Sequence, residues 1–164
     1  MNKEGHVLNA VLLGVGLGFV LEPSATVETL RTVAAVTVPV TLGALFPDVD
    51  TAFGTHRKTL HNLPVLAVFL AFPVAFGNLA YVWIGVLTHY VLDVLGSTRG
   101  IALFYPLSSS EFGFPAGVTT SSRFANVVTV IVTVVELAAA AALVHLLPRY
   151  VDASAVADLA AVAG

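Results

Sequence analysis

The sequence contains no cysteine and few charged residues. Without cysteine the chain cannot form a disulfide, use a thiolate nucleophile, or bind zinc or an iron–sulfur cluster through sulfur. Charged residues make up 10% of the 164 positions, the net charge is −3, and the longest basic run is the pair Arg57-Lys58. A protein that follows a phosphate backbone needs many more cations, so nucleic acid is excluded as a partner.

Hydrophobic residues dominate what remains. They make up 57% of the chain, and the mean hydropathy is +0.93, whereas a water-soluble domain of this length needs far more polar surface. Apolar stretches run over about 7–21, 30–46, 63–76, 79–95 and 124–147. In lipid a helix satisfies its own backbone hydrogen bonds, so even the Val- and Thr-rich stretches are predicted to be helical. The sequence therefore predicts an all-α, polytopic membrane bundle with about five transmembrane helices.

Composition also divides the chain. We predict a single integral-membrane domain over residues 1–150, followed by an Ala-rich tail over 151–164. Within the domain, the segment 96–123 is rich in Ser, Gly and Pro, which predicts an irregular region that folds over the membrane surface. Gly14 and Gly18 have the small-xxx-small spacing that lets two helices approach closely.

The distribution of basic residues predicts the orientation. If five spans are counted, the N-terminus and the segments 47–62 and 96–123 lie on one side of the membrane. That side carries Lys3, Arg57, Lys58, Arg99 and Arg123, and the other side carries Arg31 and Arg149. Positive charge accumulates on the cytoplasmic side. We therefore predict a multi-pass protein of the cell membrane with a cytoplasmic N-terminus and an external C-terminus.

The same count brings imidazoles and carboxylates to the cytoplasmic side. They are His6, Asp48, Asp50, His56, His61, His89 and Asp93. His89 and Asp93 are four residues apart and share one helical face with Gly85 and Gly96. Neutral imidazole and carboxylate together suit Zn, Mn or Fe(II), whereas calcium prefers only oxygen. The pattern predicts a divalent-metal site, with zinc as the first choice and manganese or iron as alternatives.

Several alternatives stay open at this point. Seven candidates exceed what one tetrahedral ion needs, so either two ions bind or some residues orient ligands and act as a general base. Asp48 and Asp50 follow Pro47 and would also suit a helix N-terminus. Without a metal, the polar groups would form an interhelical hydrogen-bond network.

The main competing hypothesis is a non-enzymatic membrane protein. It would transport the cation, sense it, or use it to hold helices together. A transporter should carry titratable residues at the middle of several spans, and here only Glu136 lies deep. This favours a site at the membrane surface. We expect Glu136 to be structural or to face a lumen, and His145 to lie at the membrane edge.

Four motifs follow one another along the chain: His6, Leu42-Gly43-Ala44-Leu45-Phe46-Pro47-Asp48-Val49-Asp50, the segment from His56-Arg57 to His61, and Leu87-Thr88-His89-Tyr90-Val91-Leu92-Asp93 through Phe104-Tyr105-Pro106-Leu107-Ser108. In this order and spacing, over about residues 5–110, they resemble the YdjM/YbcI-like membrane-bound metal-dependent hydrolases. The chain departs from the usual His-Arg-x-x-Thr-His-Ser in having Leu60 before His61 and Asn62 after it.

The resemblance implies a multi-pass protein whose seven imidazoles and carboxylates occupy the polar positions of the family's divalent-metal site. On that basis we expect metal-assisted hydrolysis at the cytoplasmic face, with Asp48 or Asp50 taking the proton. Arg57 and Lys58 are the candidates for holding an anionic group, and a phosphoester of a lipid or lipid-linked molecule is the expected substrate class. The same two cations would also serve simply to keep their loop in the cytoplasm.

Overall fold

A computed structural model describes residues 2–77, 79–115, 117–119 and 121–146. Its helices are α1 (Lys3–Leu21), α2 (Val27–Leu45), a 3₁₀ helix (Pro47–Ala52), α3 (Leu63–Phe76), α4 (Val82–Leu95) and α5 (Ala125–His145). Across these described ranges the only β pairing consists of isolated bridges. The predicted all-α fold is therefore confirmed. The predicted tail 151–164 and Arg149 lie outside the described residues.

Polar side chains at the helix boundaries define where three of the helices begin. Asn2 accepts a hydrogen bond from the Gly5 backbone N–H at 2.9 Å, and Asn62 accepts one from Val65 at 3.0 Å. Thr26 forms a capping box with Thr29 at the start of α2. Such caps satisfy backbone donors that have no partner inside the helix.

The helices differ in their capacity to cross a membrane. Three stretches are long and apolar enough: Lys3–Leu21, Val27–Ala52 and Ala125–His145. The helices α3 and α4 have 14 residues each, so they are about 21 Å long, against a hydrocarbon core of about 30 Å. Five apolar helices are present as predicted, but two of them are shorter than a full span. Helix α4 begins at Val82, after a turn that includes Leu79, whose φ of 55° is incompatible with a right-handed helix at that position.

Glycines bring the helix backbones into direct contact. Helix α1 packs along α2 and α5, and α2 packs against α4. A Cβ atom at Gly14 would lie 2.6 Å from the Thr37 Cα, and one at Gly18 would lie 2.6 Å from the Val33 Cα. The close approach predicted for these two glycines is therefore confirmed, and α2 is the helix they contact. Gly85 plays the same part in α4, since its Cβ would lie 2.0 Å from the Val40 carbonyl oxygen.

The outside of the bundle is apolar. Leu66 is the one buried residue of α3, and Val74 and Phe76 of that helix are 90% and 68% exposed. Helix α5 is also mostly exposed and carries valines such as Val134 and Val135 on its surface. Such a surface suits lipid rather than water. The protein is therefore a membrane protein of several helices.

The segment 96–123 is irregular, as predicted. Its described residues, 96–115, 117–119 and 121–123, form turns, bends and two isolated bridges, Ser97 with Val118 and Ile101 with Phe112. The Arg99 guanidinium donates to the Glu111 carboxylate at 2.8 and 2.9 Å. This pairing raises the pKa of Arg99 and lowers the pKa of Glu111. The segment follows α4 directly, so its first residues lie beside the end of α4 that carries His89 and Asp93.

Candidate metal centre

Two buried histidines from different elements meet at the centre of the site. His89 lies on α4, and His61 lies just before Asn62, the cap of α3. Both side chains are fully buried, and their Nε2 atoms are 3.1 Å apart. His61 is therefore shielded from solvent although it lies in a loop.

The partners of the Nδ1 atoms fix the tautomers of both rings. His61 Nδ1 lies 3.0 Å from Asp50 Oδ2, and His89 Nδ1 lies 2.6 Å from the Ala44 carbonyl oxygen. A carboxylate and a carbonyl only accept, so each neutral ring carries its proton on Nδ1. Burial and the neighbouring His89 lower the pKa of His61 to about 4, which keeps this imidazole neutral. Two Nε2 lone pairs consequently face each other, an arrangement that a shared cation would stabilise.

Two carboxylates complete the group around these lone pairs. Asp48 Oδ1 lies 3.9 Å from His61 Nε2 and 3.8 Å from His89 Nε2. Asp93 Oδ2 lies 3.7 Å and 3.6 Å from the same two atoms. Ligand atoms around a tetrahedral zinc ion are spaced by about 3.3–3.6 Å, given bond lengths of about 2.0–2.2 Å. The distances of 3.1–3.9 Å bracket this spacing, so a cation shared by His61 and His89 would have Asp48 and Asp93 beside it as further candidate ligands.

Asp50 orients rings beside this group. Its Oδ1 lies 3.0 Å from His56 Nδ1, its Oδ2 lies 3.0 Å from His61 Nδ1, and it accepts from the Leu60 backbone N–H at 3.3 Å. Asp50 is fully buried, whereas the side chains of His56 and Asp48 are 40% and 12% exposed. The site is therefore approached from the side of His56 and Asp48. The N-cap residue of the 3₁₀ helix is Phe46. Asp48 and Asp50 lie inside this helix and do not cap its N-terminus.

His6 is buried against the same centre. Its ring stacks on His89 with the centroids 3.6 Å apart, and its Nε2 lies 3.4 Å from Asp93 Oδ1. Neither of its ring nitrogens has a well-formed hydrogen bond within the described part of the chain. A buried polar nitrogen in this condition is uncommon and suits a metal ligand. His6, His89 and Asp93 form one possible ligand group and Asp48, His56 and His61 another. Six of the seven predicted residues therefore fall in these groups, and Asp50 contacts the second group through His56 and His61.

A comparison with protein families now places the chain. Residues 1–157 match the family described as YdjM inner membrane protein. The chain belongs to this family. The match extends well beyond residues 5–110, over which the sequence motifs resemble it, and it includes the described part of α5. Searches of curated proteins and of solved structures gave no match.

Arg57 and Lys58 were expected to bind an anionic group of the substrate. The Arg57 side chain is instead buried within the protein. It is 6% exposed and its φ is 68°. Its guanidinium lies 3.5 Å from Asp93 Oδ1 and donates to the Arg99 and Gly100 carbonyls and to Ser97 Oγ. Arg57 therefore ties Asp93 to the segment that follows α4. Lys58 is half-buried beside it.

The sequence analysis missed Tyr90, which holds the His61 loop. The Tyr90 hydroxyl donates to the Leu60 carbonyl at 2.6 Å and lies 3.2 Å from the Asn62 backbone N–H. Asn62 itself donates to the Lys58 and Thr59 carbonyls and caps α3. The signal for Tyr90 was a hydroxyl next to His89 in an apolar helix. Asn62, noted only as a departure from the family motif, has a structural function of its own.

A second polar group joins α1, α4 and α5. Asn9 Nδ2 donates to Glu136 Oε2 at 2.9 Å and to Thr133 Oγ1 at 3.0 Å. Thr88 Oγ1 lies 2.7 Å from both Glu136 oxygens. Glu136 is therefore hydrogen-bonded inside the bundle, through partners that are not titratable. His145 is exposed at the end of α5.

Proposed function

We propose that this protein is a metal-dependent hydrolase whose site lies at the cytoplasmic face of the membrane. The observation that carries the proposal is the pair of Nε2 atoms of His61 and His89, 3.1 Å apart with both Nδ1 protons engaged elsewhere. Asp48 and Asp93 supply negative charge at the same point. Zinc suits this donor set best, and manganese or iron(II) would also fit.

The residues divide into holding, orienting and reacting groups. His61, His89 and Asp93 would hold the ion, with His6 beside them, and the ion when bound would lower the pKa of water and polarise a scissile bond. Both oxygens of Asp50 are engaged by histidines, so Asp50 orients these rings. Asp48 is partly exposed and is thus the better placed of the two aspartates to accept a proton from water.

The proposed substrate is a phosphoester of a lipid or a lipid-linked molecule. Val49 lies between Asp48 and Asp50 in the 3₁₀ helix and Phe53 directly follows that helix; they are 49% and 65% exposed and suit contact with lipid. Of the two cations, Lys58 keeps the proposed role of binding an anionic group, because the Arg57 guanidinium is occupied within the protein. A single ammonium group is sufficient to attract a phosphate.

The test is a hydrolysis assay on the full chain in vesicles of anionic phospholipid, with zinc or manganese added. We expect release of the phosphorylated headgroup that depends on the metal and is lost in Asp48→Asn. Glu111→Gln, which removes an acid outside the site, should retain activity. Metal binding without hydrolysis, accompanied by metal flux across the vesicle, would instead establish the competing transport function.

A further inference from the structure

Glu136 belongs to a compact hydrogen-bonded group that the metal centre does not use. Thr88 Oγ1 lies 2.5 Å from Asn9 Oδ1 and 2.7 Å from each Glu136 oxygen. Asn9 Nδ2 reaches Thr133 Oγ1 and Glu136 Oε2. The Thr133 hydroxyl donates to the Thr129 carbonyl at 2.9 Å, so its proton is not available to the group.

The number of protons in this group can be counted. Thr88 has one hydroxyl proton, but its oxygen lies within hydrogen-bond distance of both Asn9 Oδ1 and the Glu136 carboxyl. If Thr88 donates to Asn9, its contact with an ionised Glu136 joins two acceptors. If Thr88 donates to Glu136, the contact with Asn9 Oδ1 joins two acceptors. One more proton gives each pair of residues a donor: Glu136 donates to Thr88 through one carboxyl oxygen, and Thr88 donates to Asn9.

The count does not depend on which way the Asn9 amide points, an assignment made from hydrogen bonding. With the amide rotated, nitrogen faces Thr88 and oxygen faces Glu136 Oε2 at 2.9 Å. That oxygen pair again requires a proton, which only Glu136 can supply because Thr133 donates to Thr129. Both arrangements therefore need a protonated carboxyl.

A metal ion does not explain the short contacts. Oxygens that share a magnesium or calcium ion lie about 2.9 Å apart or more, given bonds of about 2.0–2.6 Å. The contacts of 2.5 and 2.7 Å around Thr88 Oγ1 are hydrogen-bond distances. Glu136 also lines two apolar cavities of about 260 Å³ each, where an ionised carboxylate is costly.

We propose that Glu136 is a neutral carboxylic acid at neutral pH, and that through Asn9 and Thr88 it positions the metal centre. Asn9 follows His6 by three residues on α1, and Thr88 directly precedes His89 on α4. The acid thus fixes α1 and α4 relative to α5 within one turn of the stacked His6 and His89 rings. The helices that carry its partners also carry His6 on α1 and His89 on α4, and α5 itself carries His145; the hydrogen bonds of Glu136 within the described residues go to Asn9 and Thr88.

The protonation is tested by infrared spectroscopy of the full chain in lipid at neutral pH. The spectrum of Glu136→Gln is subtracted from that of the unmodified protein. We expect a carboxylic-acid C=O band that Glu136→Gln removes. A difference spectrum that shows only carboxylate bands would overturn the proposal. This result is independent of metal binding, so it can fail while the proposed function stands.

The positioning role, which rests on the proposed metal centre, is tested by zinc affinity. Glutamine reproduces the hydrogen bonds of a protonated glutamate, so Glu136→Gln should bind zinc as the unmodified protein does. Thr88→Val should weaken zinc binding by about tenfold, the smaller effect typical of residues that orient ligands. Thr37→Val is the matched control, because the Thr37 hydroxyl has no hydrogen-bond partner in the described chain. Equal affinities for Thr88→Val and Thr37→Val, or a large loss in Glu136→Gln, would overturn the positioning role.

Discussion

At the scale of single residues, the site depends on which nitrogen of each imidazole carries the proton. Asp50 and the Ala44 carbonyl hold the Nδ1 protons of His61 and His89. The Nε2 lone pairs of both rings therefore already point toward each other before a metal ion binds. Orientation by a carboxylate also makes the imidazole a stronger base and so a stronger ligand.

Asp50→Asn tests this orientation. The amide can accept through only one of its two polar atoms, so one of the contacts to His56 and His61 is lost. We expect zinc affinity to fall by about 10- to 100-fold while the fold is retained. Isothermal titration on the purified protein measures the change, with the exposed Glu28→Gln as control. Undiminished affinity in Asp50→Asn would show that Asp50 does not orient the ligands.

Arg57 and Lys58 are adjacent in sequence but differ in what they contact. Arg57→Ala leaves the Asp93 carboxylate without its guanidinium and frees the carbonyls of Arg99 and Gly100. We expect a loss of about 3 kcal/mol in stability, as for one partner removed from a buried ion pair. Lys58→Ala should leave stability almost unchanged and weaken binding of an anionic substrate. Denaturant unfolding in detergent compares the two, and equal stabilities would contradict the buried role of Arg57.

The residue types of the site could be predicted from the sequence, but their division into roles could not. Imidazoles and carboxylates are so rare in this chain that their occurrence on one side of the predicted spans was informative. The contacts that distinguish Asp48 from Asp50 arise only when the loop before α3 folds against α4. Arg57 has a buried position for the same reason, and nothing in its sequence neighbourhood indicates it.

At the scale of helices, close packing of α2 against α4 places the Ala44 carbonyl next to His89. Gly43 and Gly85 allow this contact, since a Cβ at either would lie 2.0 Å from a carbonyl oxygen of the other helix. The hydrogen bond from His89 Nδ1 to the Ala44 carbonyl depends on the same approach. The tautomer of a ligand is thus set by helix packing.

Gly85→Ala should therefore act on metal binding from outside the site. The added methyl group forces α4 away from Val40 and Ala44, at a cost of about 1–3 kcal/mol for overpacking. We expect both a lower unfolding midpoint and weaker zinc binding. Leu87→Ala, on the exposed side of the same helix, should change zinc affinity little. If Gly85→Ala binds zinc normally, the helix contact does not control the site.

The existence and approximate position of each helix could be predicted from the apolar stretches. The lengths of the helices were predicted less accurately. The stretch 79–95 was predicted as one span, yet α4 begins at Val82 after a turn that includes Leu79. Hydropathy does not register a left-handed residue. Glycine spacing predicted a close helix contact, but only the structure identifies α2 as the partner of Gly14 and Gly18.

At the scale of the whole molecule, the site lies at one end of an apolar bundle. His6 lies near the start of α1, the 3₁₀ helix follows α2, and His61 precedes α3. The ends of these elements meet at the metal centre, with the segment 96–123 beside it. The membrane fold follows from composition, whereas its orientation rests on the distribution of Lys and Arg.

A reporter of topology tests that orientation. We expect a reporter fused after residue 164 to be active outside the cytoplasm, and one fused before residue 1 to be active inside it. Charge asymmetry is the physical reason, because basic loops resist translocation. A cytoplasmic signal from both fusions would contradict the predicted count of five membrane crossings.

The metal content of the purified protein tests the central claim most directly. Elemental analysis after zinc loading is compared between the unmodified protein, a His61→Ala, His89→Ala double variant and His145→Ala, which removes an exposed histidine at the end of α5. We predict that the unmodified protein and His145→Ala retain zinc and that the double variant loses it. Equal zinc in the double variant would contradict a site built on the facing Nε2 atoms of His61 and His89.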